Sequence, residues 1–351
     1  MDLSIVIVAF DEGDELRPVL DELGRQRRDG DEVVVVHNSG GDPADSRRTA
    51  ELAGGHPAVD RLIETGANLG FPRGANAGAA ASSRETILFL NPDALPDPGC
   101  LDALREPPEG WDAWMGLVVL PDGRVNTAGG VTHYTGFGWT GRYLEPAENV
   151  GSEPQPVGFL SGACLAIRRE AWEAAGAFPD LFFLYVDDVD ITHRLRLQGR
   201  RFGLLPTARV RHDYEFGRRP DKLRELERNR LLMVVRCYPA PLLALVLPAL
   251  LATELALLLY APVAGWGEAK LRGTGGFLRA LPRALRERRV IQAQAVVPVA
   301  EFAEALVPEL DSPFFGRLGR SPVVRLLLRA YWILVRAALR SGARPGAAPG
   351  R

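Results

Sequence analysis

The sequence predicts an α/β fold built on a mostly parallel central sheet with helices on both faces, followed by a C-terminal helical, partly hydrophobic appendage. Three observations lead there. Between residues 1 and about 120 strand signals alternate with helix signals, as in a parallel α/β sheet. The first strands are continuous apolar runs without polar alternation, the pattern of strands covered on both faces. Beyond about residue 218 the chain turns to long aliphatic runs studded with arginine.

Taken in order, residues 3–9 and 32–36 read as the first two buried strands, with Leu16, Val19, Leu20 and Leu23 at helical spacing between them. Residues 60–64 and 86–90 supply two more strands, joined by helices rich in small residues, and residues 114–120 a further one before the turn Pro121-Asp122-Gly123-Arg124. Residues 129–156, rich in Gly, Pro and aromatics (Tyr134, Phe137, Trp139, Tyr143), read as a flexible, aromatic-lined loop. A strand at 158–167, a short helix at 170–175 and a strand at 201–205 follow. Between the last two, residues 188–198 have an acidic first turn and an arginine-rich end before Gly199, the charge order that complements a helix dipole.

Composition places the chain among globular proteins: 351 residues, 46% hydrophobic and 25% charged. The net charge of -2 hides an asymmetry. Residues 1–210 carry 19 basic against 32 acidic side chains, a net of -13, and residues 211–351 carry 23 against 12, a net of +11. A basic tail behind an acidic domain points to an anionic membrane surface or to nucleic acid. Nucleic acid is the weaker reading, because the arginines alternate with aliphatic runs and not with stacking aromatics. The three cysteines form no metal-ligand cluster, so a reducing compartment without structural zinc is the expectation, and the start lacks a signal-peptide pattern.

The expected domains are 1–218, nucleotide-binding and catalytic; 219–343, helical, basic and apolar; and 344–351, a disordered tail. Residues 242–260 are apolar but interrupted by Pro248 and Glu254, and basic residues flank them on both sides. That pattern favours a broken, re-entrant or interfacial hairpin at the cytoplasmic face over a single crossing, with a buried helical pair as the alternative. Residues 323–339, apolar with Arg325, Arg329 and Arg336, also read as interfacial.

The segment F-F-L-Y-V-D-D-V-D at Phe182 carries the most chemistry. An acidic cluster can simply cap a helix. Alternatively Asp188, beside Asp187 and Asp190, is an ionised general base held at a pocket. Polar loops follow four predicted strands, at the edge where open α/β sheets bind ligands. One of them, N-L-G-F-P-R-G-A-N-A-G at Asn68, has G-x-x-x-G-x-x-x-G spacing and no Tyr-x-x-x-Lys partner, which argues against a dinucleotide fingerprint. Asp93 in Asn91-Pro92-Asp93 offers the anionic group that Mg²⁺ or Mn²⁺ needs to bridge to a diphosphate, with His212 as candidate second ligand.

The order of these motifs resembles the family 2 glycosyltransferases over roughly residues 1–240: S-I-V-I-V-A-F-D at Ser4, H-N-S-G-G-D at His37, the Asn68 motif, F-L-N-P-D at Phe89, G-F-L-S-G-A-C-L-A-I-R-R at Gly158, the acidic segment, and P-T-A-R-V-R-H at Pro206. The N-P-D and F-F-L-Y-x-D-D-x-D forms look most like the bacterial rhamnosyltransferase-like branch. The resemblance implies a GT-A fold with a Rossmann-like sheet and an inverting transfer of a sugar, rhamnose among the candidates. The donor would be a nucleoside-diphosphate sugar and the acceptor a glycan or lipid-linked hydroxyl in cell-surface polysaccharide synthesis. It gives Asp188 the role of base, with Asp187 and Asp190 orienting it or the acceptor. It gives Asp93 and His212 the metal, and Phe10, Asp11, Asn38, Asn68, Gly74, Asn76 and Asn91 the nucleotide and its phosphates. Asn91 stands where the family has the first acid of D-x-D, His37 where an Asp often meets the base, and Asp187 where Glu is usual. The other reading is a catalytically silent sugar-nucleotide-binding protein. Expected location is the cytoplasm, peripheral or re-entrant at the inner membrane face; the sugar, nucleobase, acceptor, linkage and oligomeric state are not in the sequence.

Overall fold

The computed structural model describes residues 1–213, 220–311 and 321–342; the expected tail at 344–351 lies outside them. In chain order the elements are β1 (Leu3–Ala9), α1 (Arg17–Gln26), β2 (Glu32–His37), α2 (Pro43–Gly55), β3 (Arg61–Glu64), α3 (Phe71–Ala81), β4 (Thr86–Leu90), β5 (Leu95–Pro96), α4 (Cys100–Leu104), β6 (Ala113–Val119), β7 (Val125–Thr127), β8 (Gly130–His133), β9 (Gly138–Thr140), β10 (Cys164–Arg168), α5 (Arg169–Ala175), α6 (Asp187–Leu197), β11 (Phe202–Arg211), α7 (Pro220–Cys237), α8 (Ala240–Val263), α9 (Gly267–Ala293), α10 (Val299–Glu304), β12 (Leu306–Val307) and α11 (Pro322–Gly342). They fall into two compact units: residues 1–130, 140–195 and 200–217, and residues 131–139, 196–199 and 218–351.

The first unit is built on one sheet of order β3-β2-β1-β4-β10-β6-β11-β5, with β7 on β6. Every residue of β1 is buried, as is every residue of β4. This explains the unalternating apolar runs: both faces of these strands are covered, and each Val, Leu or Ile removed from water contributes about 1.5–3 kcal/mol. β1 pairs parallel with β2 and β4, and β2 with β3. The sheet is mixed, because β10 inserts antiparallel between β4 and β6, and β5 runs antiparallel to β11.

The glycine spacing in α3 is explained by packing. A Cβ on Gly74 would stand 2.8 Å from Val8 Cγ1, and one on Gly78 2.4 Å from Val6 Cγ1. The two glycines therefore let α3 lie close on β1. Gly70, at the helix start, has φ 79° and touches the Phe183 carbonyl, which accepts a 3.0 Å hydrogen bond from Phe71 N–H. A Cβ at Gly70 would lie 2.1 Å from that oxygen. Gly70→Ala is therefore expected to cost on the order of 2 kcal/mol and to move the 183–188 segment; a thermal melt and donor titration of the variant check it.

The second unit is helical and holds a small sheet of order β12-β8-β9. Here the expectation of a flexible aromatic loop at 129–156 is corrected. Tyr134 and Trp139 are buried, and Tyr134 stacks on Trp332 with ring centroids 4.9 Å apart and planes 7° apart. Aromatic area of this kind is too costly to leave wet, so the segment folds inward.

Residues 242–260 are also not broken: α8 runs continuously through Pro248. Glu254 on α8 joins a network with Arg230 and Glu227 of α7 and Lys270 of α9, Lys270 Nζ lying 2.6 Å from Glu254 Oε2 and Arg230 Nη2 3.0 Å from Glu227 Oε2. Burial opposes the charge on Glu227, but Arg230 and Lys270 outweigh it and hold the carboxyl below its ordinary range. Lys270→Met should leave Arg230 as the one cation shared by both glutamates and cost about 3 kcal/mol. Urea unfolding measures this, and adding Glu254→Gln to the variant should recover part of the loss.

Candidate active site

The polar loops gather at the carboxyl edge of the first unit's sheet, outside the ends of β1, β2, β4 and β11. Local chemistry places Asp93 there. β4 ends at Leu90, Asn91 N–H donates to Ala163 C=O at 3.1 Å, and Ala94 N–H closes a turn onto Asn91 C=O at 3.1 Å. The chain then returns as β5 against β11, in the register Leu95↔Arg211. His212, the next residue, is fixed by its N–H on Val119 C=O at 2.9 Å. Its Nε2 lies 3.0 Å from Asp93 Oδ1, with the imidazole 6% and the carboxylate 48% exposed. Burial works against ionisation of Asp93, but the hydrogen bond and charge of His212 win and lower its pKa.

Asp188 is the second residue of α6, which follows two residues in the left-handed region, Tyr185 (φ 69°) and Val186 (φ 68°). For a β-branched valine that conformation is strained, and strain of this kind persists where surrounding structure over-determines it. Asp188 Oδ1 accepts from Val189 N–H at 2.8 Å and Oδ2 from Gly162 N–H at 3.3 Å. Gly162 adjoins Ala163, whose carbonyl holds Asn91, so Asp188 and the Asn91-Pro92-Asp93 turn are tied to consecutive residues of one loop. Burial raises Asp188 to about 6, against the lowering effect of those N–H groups. Asp187 is buried, and burial together with the charges of Asp188 and Asp190 holds its carboxyl well above the ordinary range.

Asp190 has a structural contact of its own. It is buried and pairs with Arg194 at 2.7 Å, and Arg194 also donates to Ala175 C=O, which fastens α6 to the end of α5. Three residues expected at the nucleotide also make contacts within the chain. Asn38 accepts from Leu69 N–H at 2.7 Å and donates to Asn68 Oδ1 and Gly70 C=O. Asn76 donates to Phe178 C=O and Asp180 and accepts from Phe178 N–H. Gly74 faces Val8. These residues shape the walls. Asn68 also accepts from Gly70 N–H at 2.9 Å, which closes the loop.

Phe10 and Asp11 follow directly on the end of β1. Phe10 is exposed, and Asp11, at φ 58°, accepts from Gly41 N–H at 2.6 Å while its Oδ1 is buried with no hydrogen-bond partner, 3.7 Å from His37 Nε2. Beside it lies a residue the motif reading passed over. Burial raises Glu12 to about 7, and the charges of Asp93 and Asp11 add to the effect. Its Oε2 also has no hydrogen-bond partner. The available signal was its place directly after β1; what was missing was its nearness to Asp93.

Asp93 and His212 form an oxygen and nitrogen donor pair suited to Mg²⁺ or Mn²⁺. Among the described residues no group of three or more His, Cys, Asp or Glu could hold a metal. A pair of protein ligands fits an ion that completes its shell with water and substrate phosphate oxygens.

Comparison with known proteins bears on the fold and the family. The family description "Glycosyl transferase family 2" matches residues 4–175. The N-acetylglucosaminyl-diphospho-decaprenol L-rhamnosyltransferase of Mycobacterium tuberculosis (strain ATCC 25618 / H37Rv) is 31% identical over 242 residues, 60% of this chain and 75% of that protein. The O-antigen biosynthesis protein RfbC of Myxococcus xanthus is 29% identical over 64% of this chain, but only 18% of RfbC is covered. Among solved structures, GalNAc-T7 with UDP, GalNAc and Mn²⁺ superposes with a TM-score of 0.58 at 15% identity, covering 68% of this chain and 48% of that one. S. aureus TarS 1–349 in complex with UDP-GlcNAc gives 0.51 at 15% identity over 97% and 92%. At such identities the structures speak for the fold, which is GT-A, and the sequence relatives for the family. A mostly parallel sheet whose carboxyl edge holds Asp93, His212 and Asp188, with a rhamnosyltransferase as a relative over most of its length, makes this chain a member of glycosyl transferase family 2.

Proposed function

We propose that the protein is an inverting, metal-dependent glycosyltransferase that moves a sugar, rhamnose being the first to test, from a nucleoside diphosphate to a hydroxyl of a lipid-linked glycan at the cytoplasmic face of the membrane, in cell-surface polysaccharide synthesis. The observation that carries it is the pairing of Asp93 with His212 at 3.0 Å on the sheet edge that also holds a half-buried Asp188 raised to about 6. The relative that acts on a decaprenyl diphosphate supports the acceptor class.

Asp188 takes the proton of the acceptor hydroxyl as that oxygen bonds to the anomeric carbon, and the bond from this carbon to the diphosphate oxygen breaks on the opposite face. A carboxylate with pKa near 6 is ionised at neutral pH yet basic enough to share a proton in the transition state. Asp93 and His212 would hold Mg²⁺ or Mn²⁺, which neutralises charge on the departing nucleoside diphosphate. Burial and the charges of Asp188 and Asp190 favour the neutral form of Asp187, which lessens the negative charge beside the base.

The test is a panel of sugar nucleotides titrated with and without Mn²⁺, followed by incubation of each binder with a polyprenyl-diphosphate-linked N-acetylhexosamine. Metal-dependent binding of one donor and formation of a product with inverted anomeric configuration is expected. Tight donor binding with neither hydrolysis nor transfer to any acceptor would instead mark a silent sugar-nucleotide-binding protein.

A further inference from the structure

The second unit exposes aliphatic surface on three of its helices, and its distribution is ordered. On α8, Leu242, Val246, Leu250 and Ala261 are buried on the side that bears Glu254, while Leu251, Leu255 and Leu259 stand 60%, 60% and 70% exposed. α11 is held to α8 by Tyr331 Oη, which donates to Leu245 C=O at 2.6 Å. It buries Trp332, Val335 and Leu339 and exposes Val323, Leu326, Leu327, Ile333 and Leu334, a stripe at spacings of three, four and seven residues. Monomeric proteins rarely leave contiguous faces of this kind wet.

We propose that these two stripes dock the second unit onto an anionic lipid surface, with α8 lying in the plane of one leaflet and not crossing the bilayer. α8 is long and apolar enough to span. Its ion pairs decide otherwise. Glu254 is bound to Lys270 and Arg230, and the helices that carry those partners, α7 and α9, are too rich in charge to enter hydrocarbon beside it. Pulling α8 across a membrane would strand that network, whereas laying its leucine face into one leaflet leaves it intact.

The charge pattern selects the occupant. α9 packs against α8 and exposes Leu271, Leu278 and Leu285 beside Arg279, Arg286 and Arg289, none of which is in an ion pair among the described residues. Arginine stems lie along apolar surface while their heads reach phosphates, so this mixture suits anionic headgroups. A second copy of the chain on the same face would bring like charges together.

The inference deepens the membrane part of the proposed function but not its chemistry, so vesicles free of any sugar acceptor separate the two. In the full chain Leu247, Leu255 and Leu259 are replaced singly by Cys and labelled with an environment-sensitive fluorophore; Cys100, Cys164 and Cys237 are buried. With phosphatidylcholine vesicles containing one third phosphatidylglycerol, all three positions should shift to the blue and be quenched by lipids spin-labelled at the same shallow depth. A graded depth from one surface to the other, or no spectral change, overturns the proposal. In sedimentation, Leu255→Glu with Leu326→Glu should lower the vesicle-bound fraction at least about tenfold with helix content and donor binding unchanged. Arg279→Glu with Arg286→Glu should remove the preference for anionic lipid. Unchanged binding by either double variant, or a dimer in the ultracentrifuge that ignores vesicles, overturns it as well.

Discussion

Asp188→Asn is expected to lower kcat by a factor of about 10³ or more while the donor dissociation constant stays within about threefold. The amide keeps the shape and, through its one oxygen, the shorter of the two hydrogen bonds, that from Val189 N–H, but it gives up the longer one from Gly162 N–H and cannot take a proton. The wild-type rate should rise as pH increases through about 6, where Asp188 ionises, and level off above it. Stability should move the other way. Its folded pKa lies above the ordinary 3.8, so the ionised carboxylate opposes folding: wild-type stability is lost as pH rises from about 4 to about 6. The Asn variant escapes that loss. It should therefore be more stable than wild type by roughly 1–2 kcal/mol at pH 7.5, a value reduced for the solvent Asp188 still meets, and no more stable at pH 3. Calorimetric melts at the two pH values, beside single-turnover rates, check both halves; full turnover by the variant would refute the base assignment.

Asp93→Ala should weaken donor binding in the presence of Mn²⁺ by about 10–100-fold and leave binding in a chelator nearly unchanged. The contrast matters because two effects oppose each other at this site. Removing Asp93 would take away one of the two proposed metal ligands, yet it also removes a negative charge next to Glu12 and Asp11 that would repel the diphosphate itself. Without metal the second effect should show alone, as binding equal to or slightly tighter than wild type. His212→Ala should reproduce the metal-dependent loss without that compensation. Calorimetric titration of the donor in Mn²⁺ and in chelator distinguishes them, and an unchanged metal dependence in Asp93→Ala would remove it from the metal site.

Much of the first unit was legible because its signals are local. β1 and β4 are buried on both faces, and a strand in that setting has no polar alternation to hide it. The helix at Asp187–Leu197 was announced by its own charge order. Motif order also carried the family. What each polar residue faces was another matter. Asn38 and Asn76 have the same amides whether they bind a ribose or a loop, and only the folded chain turns them onto Gly70 and Phe178. Asp190 and Arg194 stand four apart, so their pairing along α6 was available to be read but was masked by the adjacent carboxylates.

By itself the sequence determined the class of sheet, the edge on which the polar loops would collect, the helix that begins with Asp187 and Asp188, and the family. The motif order had already set Asp93 and His212 on one metal; the tertiary structure alone decided that they lie 3.0 Å apart, that Glu12 joins their electrostatic neighbourhood, that Tyr134 turns inward, and that Glu254 is ion-paired within the helical unit and leaves one leucine face of α8 outward. The physical reason is range. Periodicity and charge order report on neighbours along the chain, whereas a pairing such as Asp93 with His212 depends on β5 returning against β11, a contact between segments more than a hundred residues apart whose register no local pattern encodes.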